Sequence, residues 1–298
     1  MLKRRIIRGG TLVLALVLAN LAVAEWAKEN RVKQKEYEVA QADVLSQNVL
    51  EENTIAENRD GKTGAESREE DFVSKTEAYP YLYAKGEITR QELPEKTVFL
   101  TFDDGPSRNT KKILDTLKKY DINATFFVIG ENLTEDGVET VKRALEEGHM
   151  LGMHTETHSY EQIYHSVDAF LKDYDKLAAR FVELFGECPG IYRFPGGSYS
   201  TYINPIKEEL KEEMKRRGFL GYDWSVSGED SVGTPTAASI KKNIFDTIEG
   251  QKYPIILLHD SPCSNLTAEV LPEIIERLLA EGYTFKTLQY REPYQFPW

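Results

Sequence analysis

The stretch TVFLTFDDGP, residues 97–106, combines a strand with the first candidate reactive groups of the chain. Its apolar first half predicts a buried strand, and two adjacent carboxylates, Asp103 and Asp104, follow where that strand ends. Successive side chains at a strand end point in different directions, so one carboxylate can bind a metal while its neighbour accepts a proton. A plain Asp-Gly-Pro turn is the simpler interpretation of the same residues. Polar residues farther along the chain favour the first interpretation.

From about Pro80 onward, apolar strands alternate with amphipathic helices. Repeated β-then-α units with apolar strands are typical of a parallel sheet covered by helices. About seven such units predict an α/β barrel, in which polar residues at the C-terminal ends of the strands meet on one face. We predict strands at 97–101, 124–129, 149–153, 191–194, 220–224, 255–258 and 284–287.

Residues 1–27 are predicted to be an export segment. A basic stretch at residues 3–8 precedes an apolar run at 11–19 and a small-x-small site that ends at Ala24. The apolar stretch 11–24 is shorter than the ~20 residues that span a bilayer, as in a cleaved signal peptide, but its extension to 9–27 comes close to that length and leaves an uncleaved membrane anchor open. In both cases the basic flank stays in the cytoplasm and the remainder is exported. We therefore expect an extracytoplasmic protein, secreted or membrane-anchored, that faces the cell wall.

Residues 28–79 have a different composition from the rest of the chain, because acidic residues are in excess and aromatic residues are scarce. The acidic stretch 58–71 predicts disorder, and a weak helical pattern at 37–45 is too short for a coiled coil. The simplest interpretation is a partly helical or disordered stalk. The catalytic domain is then expected at 80–298.

The composition narrows the possible partners. The formal net charge is −12, which argues against a nucleic-acid partner because phosphate binding needs a basic surface. A neutral polysaccharide is compatible with this charge. Cys188 and Cys263 are too few for a disulfide framework, and we predict them at opposite ends of the barrel as free thiols.

His154 and His158 are separated by four positions, a spacing that lets two imidazoles reach one ion. The residues between them, at 155–157, are polar, which disfavours a role in core packing. Two isolated histidines would more often be structural, but Asp104 can supply a third ligand. Two imidazoles and one carboxylate are typical of a catalytic zinc site that keeps positions open for water and substrate.

Five short motifs occur in order along the chain: TFDDGP (101–106), HTETH (154–158), RFPGG (193–197), WSVSGEDS (224–231) and LLHD (257–260). Together they resemble the five motifs of the polysaccharide deacetylases, also called NodB-homology domains or family-4 carbohydrate esterases. The resemblance covers about residues 95–290. It implies a distorted (β/α)7 barrel and a metal-dependent removal of acetyl groups from sugars.

The resemblance implies a metal centre and a general base. Asp104, His154 and His158 would hold a divalent cation, which is most often zinc in this family, with cobalt or nickel as alternatives. Asp103 would take the proton of the attacking water. Arg193 would pair with Asp103 and fix its position, and its charge would keep Asp103 from sharing a proton with Asp104.

The resemblance also implies the remaining catalytic and substrate-binding residues. His259 would be the general acid that protonates the departing amine, oriented by Asp230. Asp223 is a rival for that orienting role because it lies near the same strand end, although the motif register favours Asp230. The backbone N–H of Gly196 would help to form the oxyanion hole, and Leu257 would line the pocket for the acetyl methyl group.

Two positions depart from the usual family pattern. Gly196 follows the proline of its motif where an aromatic residue is usual, so a side-chain platform for the sugar is lost. Ser231 stands where a tryptophan often follows the aspartate of the fourth motif. Tyr160, Tyr199 and Tyr202 are predicted in loops on the same face, where they could stack on sugar rings instead, and Tyr199 is our candidate for substrate binding.

These observations predict a monomeric hydrolase that removes N-acetyl groups from a cell-wall polysaccharide, most simply from N-acetylglucosamine residues of peptidoglycan. Chitin-like glycans and xylan are the other acetylated polymers considered. One alternative is an O-acetyl esterase that acts on xylan-type polysaccharides, which the missing tryptophan leaves open. A second alternative, from another class, is a glycan-binding wall protein without catalytic activity.

Overall fold

The computed structural model of the protein describes residues 78–296. The predicted export segment and nearly all of the predicted stalk lie outside the described residues, so both stay predictions, as does the proposed domain division. No helix within 78–296 is both long and apolar enough to cross a membrane.

Eight strands of the described chain form one sheet, and all of their pairings are parallel. The strand order is β5-β4-β3-β2-β1-β7-β6, and β8 pairs with the beginning of β1. The strands are β1 Thr97–Gly105, β2 Thr125–Val128, β3 Met150–Met153, β4 Ile191–Tyr192, β5 Leu220–Gly221, β6 Val226–Ser227, β7 Ile255–His259 and β8 Thr284–Phe285.

Helices follow most of the strands and cover the sheet. Their first residues obey ordinary capping rules: Ser107 and Thr236, for example, accept hydrogen bonds from the backbone N–H groups of the helices that they precede. The helices are α1 Arg108–Tyr120, α2 Glu135–Glu146, α3 Tyr160–Ile163, α4 Val167–Phe185, α5 Lys207–Arg216, α6 Ala237–Ile248 and α7 Asn265–Ala280. The main core lies between these helices and the sheet.

The sheet curls into a barrel that is open between its two terminal strands. Within the described residues, β5 and β6 have no pairing with each other. A segment at 291–296 approaches the chain just after β5, where Tyr294 forms a parallel bridge with Tyr222. The distorted α/β barrel predicted from the sequence is confirmed.

Several details differ from the sequence-based expectation. The strands predicted at 191–194, 220–224 and 284–287 end earlier, at Tyr192, Gly221 and Phe285. Strand β1 runs on to Gly105, because Asp103 is in register with Phe127 on one side and with His259 on the other. The short strand β6 was not predicted, since two residues are too few for a hydrophobic pattern to stand out.

Cys188 is buried, Cys263 is exposed, and both are free thiols as predicted.

Candidate active site

A cleft of about 920 Å³ opens at the C-terminal ends of the strands. Parallel strands bring these ends to one face, and the register of β1 and β7 sets Asp103 directly beside His259. The walls combine carboxylates, imidazoles and aromatic rings. The lining residues are Asp103, Asp104, His154, His158, Tyr160, Gly196, Tyr199, Trp224, Ser227, Glu229, Ser231, Val232, Leu257, His259 and Phe296.

Asp104, His154 and His158 meet at one point of the cleft, and their candidate ligand atoms all lie within 4.8 Å of one another. Oδ1 of Asp104 lies 3.3 Å from Nε2 of His158 and 3.5 Å from Nε2 of His154. Ligands about 2.0–2.1 Å from a tetrahedral zinc ion stand roughly 3.3 Å apart. Oδ1 of Asp104 is buried without a hydrogen-bond donor among the described residues. A buried, unpaired carboxylate oxygen between two imidazole nitrogens fits a divalent cation.

The protonation states also suit a metal centre. Nδ1 of His154 lies 2.9 Å from the backbone oxygen of Arg193. Because a carbonyl oxygen can only accept a hydrogen bond, Nδ1 must carry a proton and donate it. Nε2 is therefore the nitrogen of His154 that is available to a cation beside Asp104. Burial lowers the pKa of His158 to about 4, so this imidazole is neutral at pH 7. Burial opposes ionisation of Asp104, but the neighbouring histidines outweigh it and hold its pKa well below the usual value.

The backbone at the three-residue cluster of Asp104, His154 and His158 has an unusual conformation. Asp104 has φ 75° and His158 has φ 56°, and Thr155 between the histidines has φ 71°. Local contacts hold these left-handed residues. Oγ1 of Thr155 accepts a hydrogen bond from the backbone N–H of His158 at 3.0 Å, and the side-chain amide of Asn132 donates to the backbone oxygen of Asp104 at 2.9 Å. The two ligand segments therefore keep their shape through hydrogen bonds within the protein.

Asp103 is held by a fully buried arginine. Nη1 of Arg193 donates to Oδ1 of Asp103 at 2.7 Å and to the Thr101 hydroxyl at 2.8 Å. The remaining guanidinium donors bind the backbone oxygens of Tyr222 at 2.9 Å and Asp223 at 3.0 Å. Because Arg193 uses only one oxygen of Asp103, the other carboxylate oxygen is left for a proton from the cleft.

His259 and Asp230 form a second pair in the cleft, next to Asp103 at the end of β7. Nδ1 of His259 lies 2.8 Å from Oδ1 of Asp230, whose Oδ2 also accepts from the His259 backbone at 2.8 Å and from Thr267 at 2.5 Å. Burial alone would lower the pKa of His259, but the hydrogen bond and charge of Asp230 outweigh it and raise the pKa to about 9. The imidazole is therefore cationic at neutral pH, with Nε2 near the Ser231 hydroxyl at 3.3 Å.

Asp223, the rival for the orienting role, does not contact His259 through any bond among the described residues. Its buried carboxylate accepts from the backbone and hydroxyl of Ser198 at 2.9 and 2.5 Å, and from the backbone N–H of Phe296 at 2.8 Å. The choice of Asp230 agrees with this geometry. Asp223 instead joins the RFPGG loop to the segment 291–296.

The three predicted substrate-binding residues lie in the cleft wall. Gly196 has φ 75°, and no acceptor within the described chain binds its backbone N–H. Leu257 is 5% exposed and in register with Thr101 at the base of the cleft. Tyr199 is 46% exposed at its rim. All of the predicted site residues thus converge, while their individual roles stay predictions.

Several residues of the site carried no clear signal in the sequence. Trp224 belongs to a quoted motif but was given no role, and Phe296 lies outside every motif. Asp260 was considered only as part of a strand end. Its buried carboxylate accepts from the Thr110 hydroxyl at 2.6 Å, which ties the end of β7 to the start of α1, and burial raises its pKa to about 7. Only the folded chain brings these groups together.

Comparison with known proteins gives a consistent result. The family model described as polysaccharide deacetylase matches residues 90–214. A peptidoglycan-N-acetylglucosamine deacetylase of Bacillus cereus is 32% identical over 207 residues, which cover 68% of this chain and 72% of the relative.

Solved structures share the fold as well. The catalytic domain of a peptidoglycan N-acetylglucosamine deacetylase from Eubacterium rectale superposes with a TM-score of 0.64 at 30% identity, over 73% of this chain and 98% of that one. A family 4 acetyl xylan esterase from Clostridium thermocellum, solved with cobalt, gives a TM-score of 0.51 at 28% identity, over 65% and 88% of the two chains. By sequence, fold and the arrangement of this cleft, the chain belongs to the polysaccharide deacetylase family and is a deacetylase hydrolase.

Proposed function

We propose that this protein is an exported, metal-dependent deacetylase that removes the N-acetyl group from N-acetylglucosamine residues of peptidoglycan. The observation that carries the proposal is the buried Asp103 beside a three-ligand cluster, with the His259–Asp230 pair next to it at the end of β7. The named activities of the Bacillus cereus and Eubacterium rectale relatives favour peptidoglycan as the polymer.

Asp104, His154 and His158 would hold the cation, and zinc is the metal that their two nitrogens and one oxygen suit best. When bound there, a divalent cation would lower the pKa of water and polarise the acetyl carbonyl group. Cobalt or nickel would suit the same donors. One copy of the chain supplies the three candidate ligands and every proposed catalytic residue, so the proposed site needs no second subunit.

The residues of the chain account for both proton transfers. Asp103 accepts the proton of the attacking water, since Arg193 fixes its position and binds only one of its two oxygens. The backbone N–H of Gly196 donates to the oxygen on which negative charge develops. His259, cationic and oriented by Asp230, gives its Nε2 proton to the departing amine as the C–N bond breaks. Leu257 provides an apolar contact for the acetyl methyl group.

The test is mass spectrometry of glycan oligomers after incubation with the zinc-loaded full chain. Peptidoglycan, chitin and acetylated xylan oligomers are compared, with the Asp103→Asn protein as the inactive control. We expect peptidoglycan oligomers to lose one acetyl group per modified sugar and to gain a free amine. No acetate release from any polymer with zinc, cobalt or nickel would contradict the proposal and favour a non-catalytic glycan-binding protein.

A second candidate is an O-acetyl esterase acting on xylan-type polysaccharides. Ser231 in place of a tryptophan leaves a polar wall beside His259, and the relative from Clostridium thermocellum is named an acetyl xylan esterase. An alkoxide leaving group depends less on an acid than an amine does. Faster acetate release from acetylated xylan than from peptidoglycan would favour this function.

Export is the part of the proposal that rests on residues 1–27. The basic stretch followed by an apolar run supports either cleavage after Ala24 or retention as a membrane anchor. Expression of the full chain, followed by cell fractionation and N-terminal sequencing, distinguishes the two. Recovery of the intact chain in the cytoplasm would contradict export.

A further inference from the structure

The segment 291–296 lies against the open side of the barrel. Beyond the Tyr222–Tyr294 bridge, the backbone N–H of Asp223 donates to the Tyr294 oxygen at 2.6 Å. The N–H of Phe296 in turn donates to the Asp223 carboxylate at 2.8 Å. These main-chain bonds fix the segment where β5 and β6 are not paired and bring the Phe296 ring into the cleft.

The same carboxylate fixes the facing loop. Asp223 is 1% exposed and accepts two hydrogen bonds from the fully buried Ser198. Tyr199 follows directly in this loop, so one buried acid sets the position of both Tyr199 and Phe296. The backbone oxygen of Asp223 also accepts a hydrogen bond from Arg193, the arginine that binds Asp103.

Three aromatic rings meet above this acid. The Phe296 ring lies 4.8 Å from Tyr199 at 84° and 5.3 Å from Trp224 at 90°, and Tyr199 lies 5.8 Å from Trp224 at 72°. These edge-to-face contacts stabilise one another. Trp224 packs closely against Gly197, where an added Cβ would lie only 2.8 Å from the indole ring. The three rings line the cleft, and Tyr199 exposes 46% of its surface.

The cleft is much larger than an acetyl group needs, at about 920 Å³. Other parts of its lining carry the candidate metal ligands and the proposed catalytic residues, and the three rings form an aromatic part of the wall that has no role in the proton transfers. Aromatic faces are electron-rich and attract weakly positive C–H groups. The equatorially substituted ring of a β-linked pyranose presents such C–H groups together on its faces.

We propose that Phe296, Tyr199 and Trp224 form a binding subsite for a pyranose unit of the glycan next to the sugar that loses its acetyl group. The inference rests on the proposed function and extends it, because it assigns substrate binding to the segment 291–296. Phe296 contributes affinity for the polymer. It takes no part in the proton transfers.

Kinetics with long and short substrates test the proposal. Phe296→Ala in the full chain should raise KM for penta-N-acetylchitopentaose or peptidoglycan oligomers about threefold to tenfold at little changed kcat. Hydrolysis of 4-nitrophenyl acetate, which lacks a second sugar, should stay unchanged. Phe296→Trp should restore the KM. Tyr81→Ala, which removes an exposed aromatic side chain outside the cleft, is the matched control.

Equal losses with the oligomers and with 4-nitrophenyl acetate would overturn the subsite, since they would indicate a distorted active site. An unchanged KM for the oligomers would also overturn it. Calorimetric binding of penta-N-acetylchitopentaose and acetylated xylopentaose to the Asp103→Asn protein separates this inference from the proposed function. Weaker binding after Phe296→Ala in that background supports the subsite whichever acetyl group the enzyme removes, and equal binding contradicts it.

Discussion

The phenol oxygen of Tyr160 lies 2.9 Å from the point that a Cβ atom would occupy on Gly196. The motif resemblance leads one to expect an aromatic side chain at position 196. Tyr160 comes instead from the start of α3 and packs its ring against His158 and Tyr202. An aromatic ring is thus present beside the proposed oxyanion donor, although it is carried by another part of the chain.

Gly196→Tyr is expected to destabilise the protein. A non-glycine residue at φ 75° costs about 1–2 kcal/mol, which corresponds to a melting temperature lower by roughly 2–8 °C, before any collision with Tyr160 is counted. Differential scanning calorimetry measures the change. Gly233→Ala, also at positive φ but with open space around it, isolates the backbone contribution. If Gly196→Tyr melts no lower than Gly233→Ala, Tyr160 does not occupy this space.

Asp103→Asn should reduce deacetylation by about 10²–10⁴-fold because an amide cannot accept the proton of water. Metal affinity should change little, since Asp103 lies outside the three-ligand cluster. Acetate release and calorimetric zinc titration measure the two effects. Asp104→Asn is the contrasting variant and should lose zinc affinity as well. Near wild-type turnover of Asp103→Asn would remove Asp103 as the base.

His259→Ala should slow hydrolysis of N-acetyl substrates far more than that of aryl acetates. An amine needs a proton to depart, whereas a phenolate leaves without one. The ratio of kcat/KM values for chito-oligosaccharide and 4-nitrophenyl acetate reports the difference. His165→Ala, an exposed histidine outside the cleft, should leave both rates unchanged. Equal losses on both substrates after His259→Ala would argue against the acid role.

The pH profile should depend on Asp230. His259 must be protonated to act as an acid, and its pKa of about 9 preserves activity at neutral pH until the proton is lost in alkaline solution. A cation bound in the same cleft opposes protonation, so the alkaline limb of the loaded enzyme should lie below 9. Asp230→Asn removes the stabilising charge and should move that limb to lower pH. An unmoved limb would contradict the pairing.

The same pair affects stability with a defined sign. The folded-state pKa of His259 is raised from 6.5 to about 9, so its stabilising contribution is complete below pH 6.5 and disappears as the pH rises to about 9. The melting temperature of the wild-type protein should therefore exceed that of Asp230→Asn more at pH 6 than at pH 9.5. A constant difference would indicate that the pair does not titrate.

The sequence predicted those parts of the site that a strand carries to the C-terminal edge. Asp103 and His259 directly end apolar runs, and parallel pairing makes them neighbours. Contacts that depend on loop geometry could not be predicted. Phe296 reaches the cleft on a segment that the Tyr222–Tyr294 bridge and the Asp223 carboxylate hold in place. Nothing in the motif pattern distinguishes an acid that holds a loop from one that orients a histidine.

Helices were predicted best where caps and amphipathic patterns agree. The amphipathic patterns at 167–185 and 237–248 predict helices with these bounds, and they match α4 and α6, which begin after Ser166 and Thr236. Strand β6 was not predicted because it contains only Val226 and Ser227, which pair with β7 but do not form an apolar run. Its position nonetheless decides where the loop with Asp230 begins.

The left-handed backbone around the three candidate ligands affects which cation the cluster would bind. Hydrogen bonds to Asn132 and Thr155 hold the backbone of Asp104 and His158, which limits how far their donor atoms can move apart. Magnesium demands six oxygen-rich positions, and calcium demands a wider and more flexible shell. A pocket with two nitrogens and one oxygen would therefore disfavour both ions. Selectivity among abundant cellular cations would then depend on the backbone torsions as much as on the ligand types.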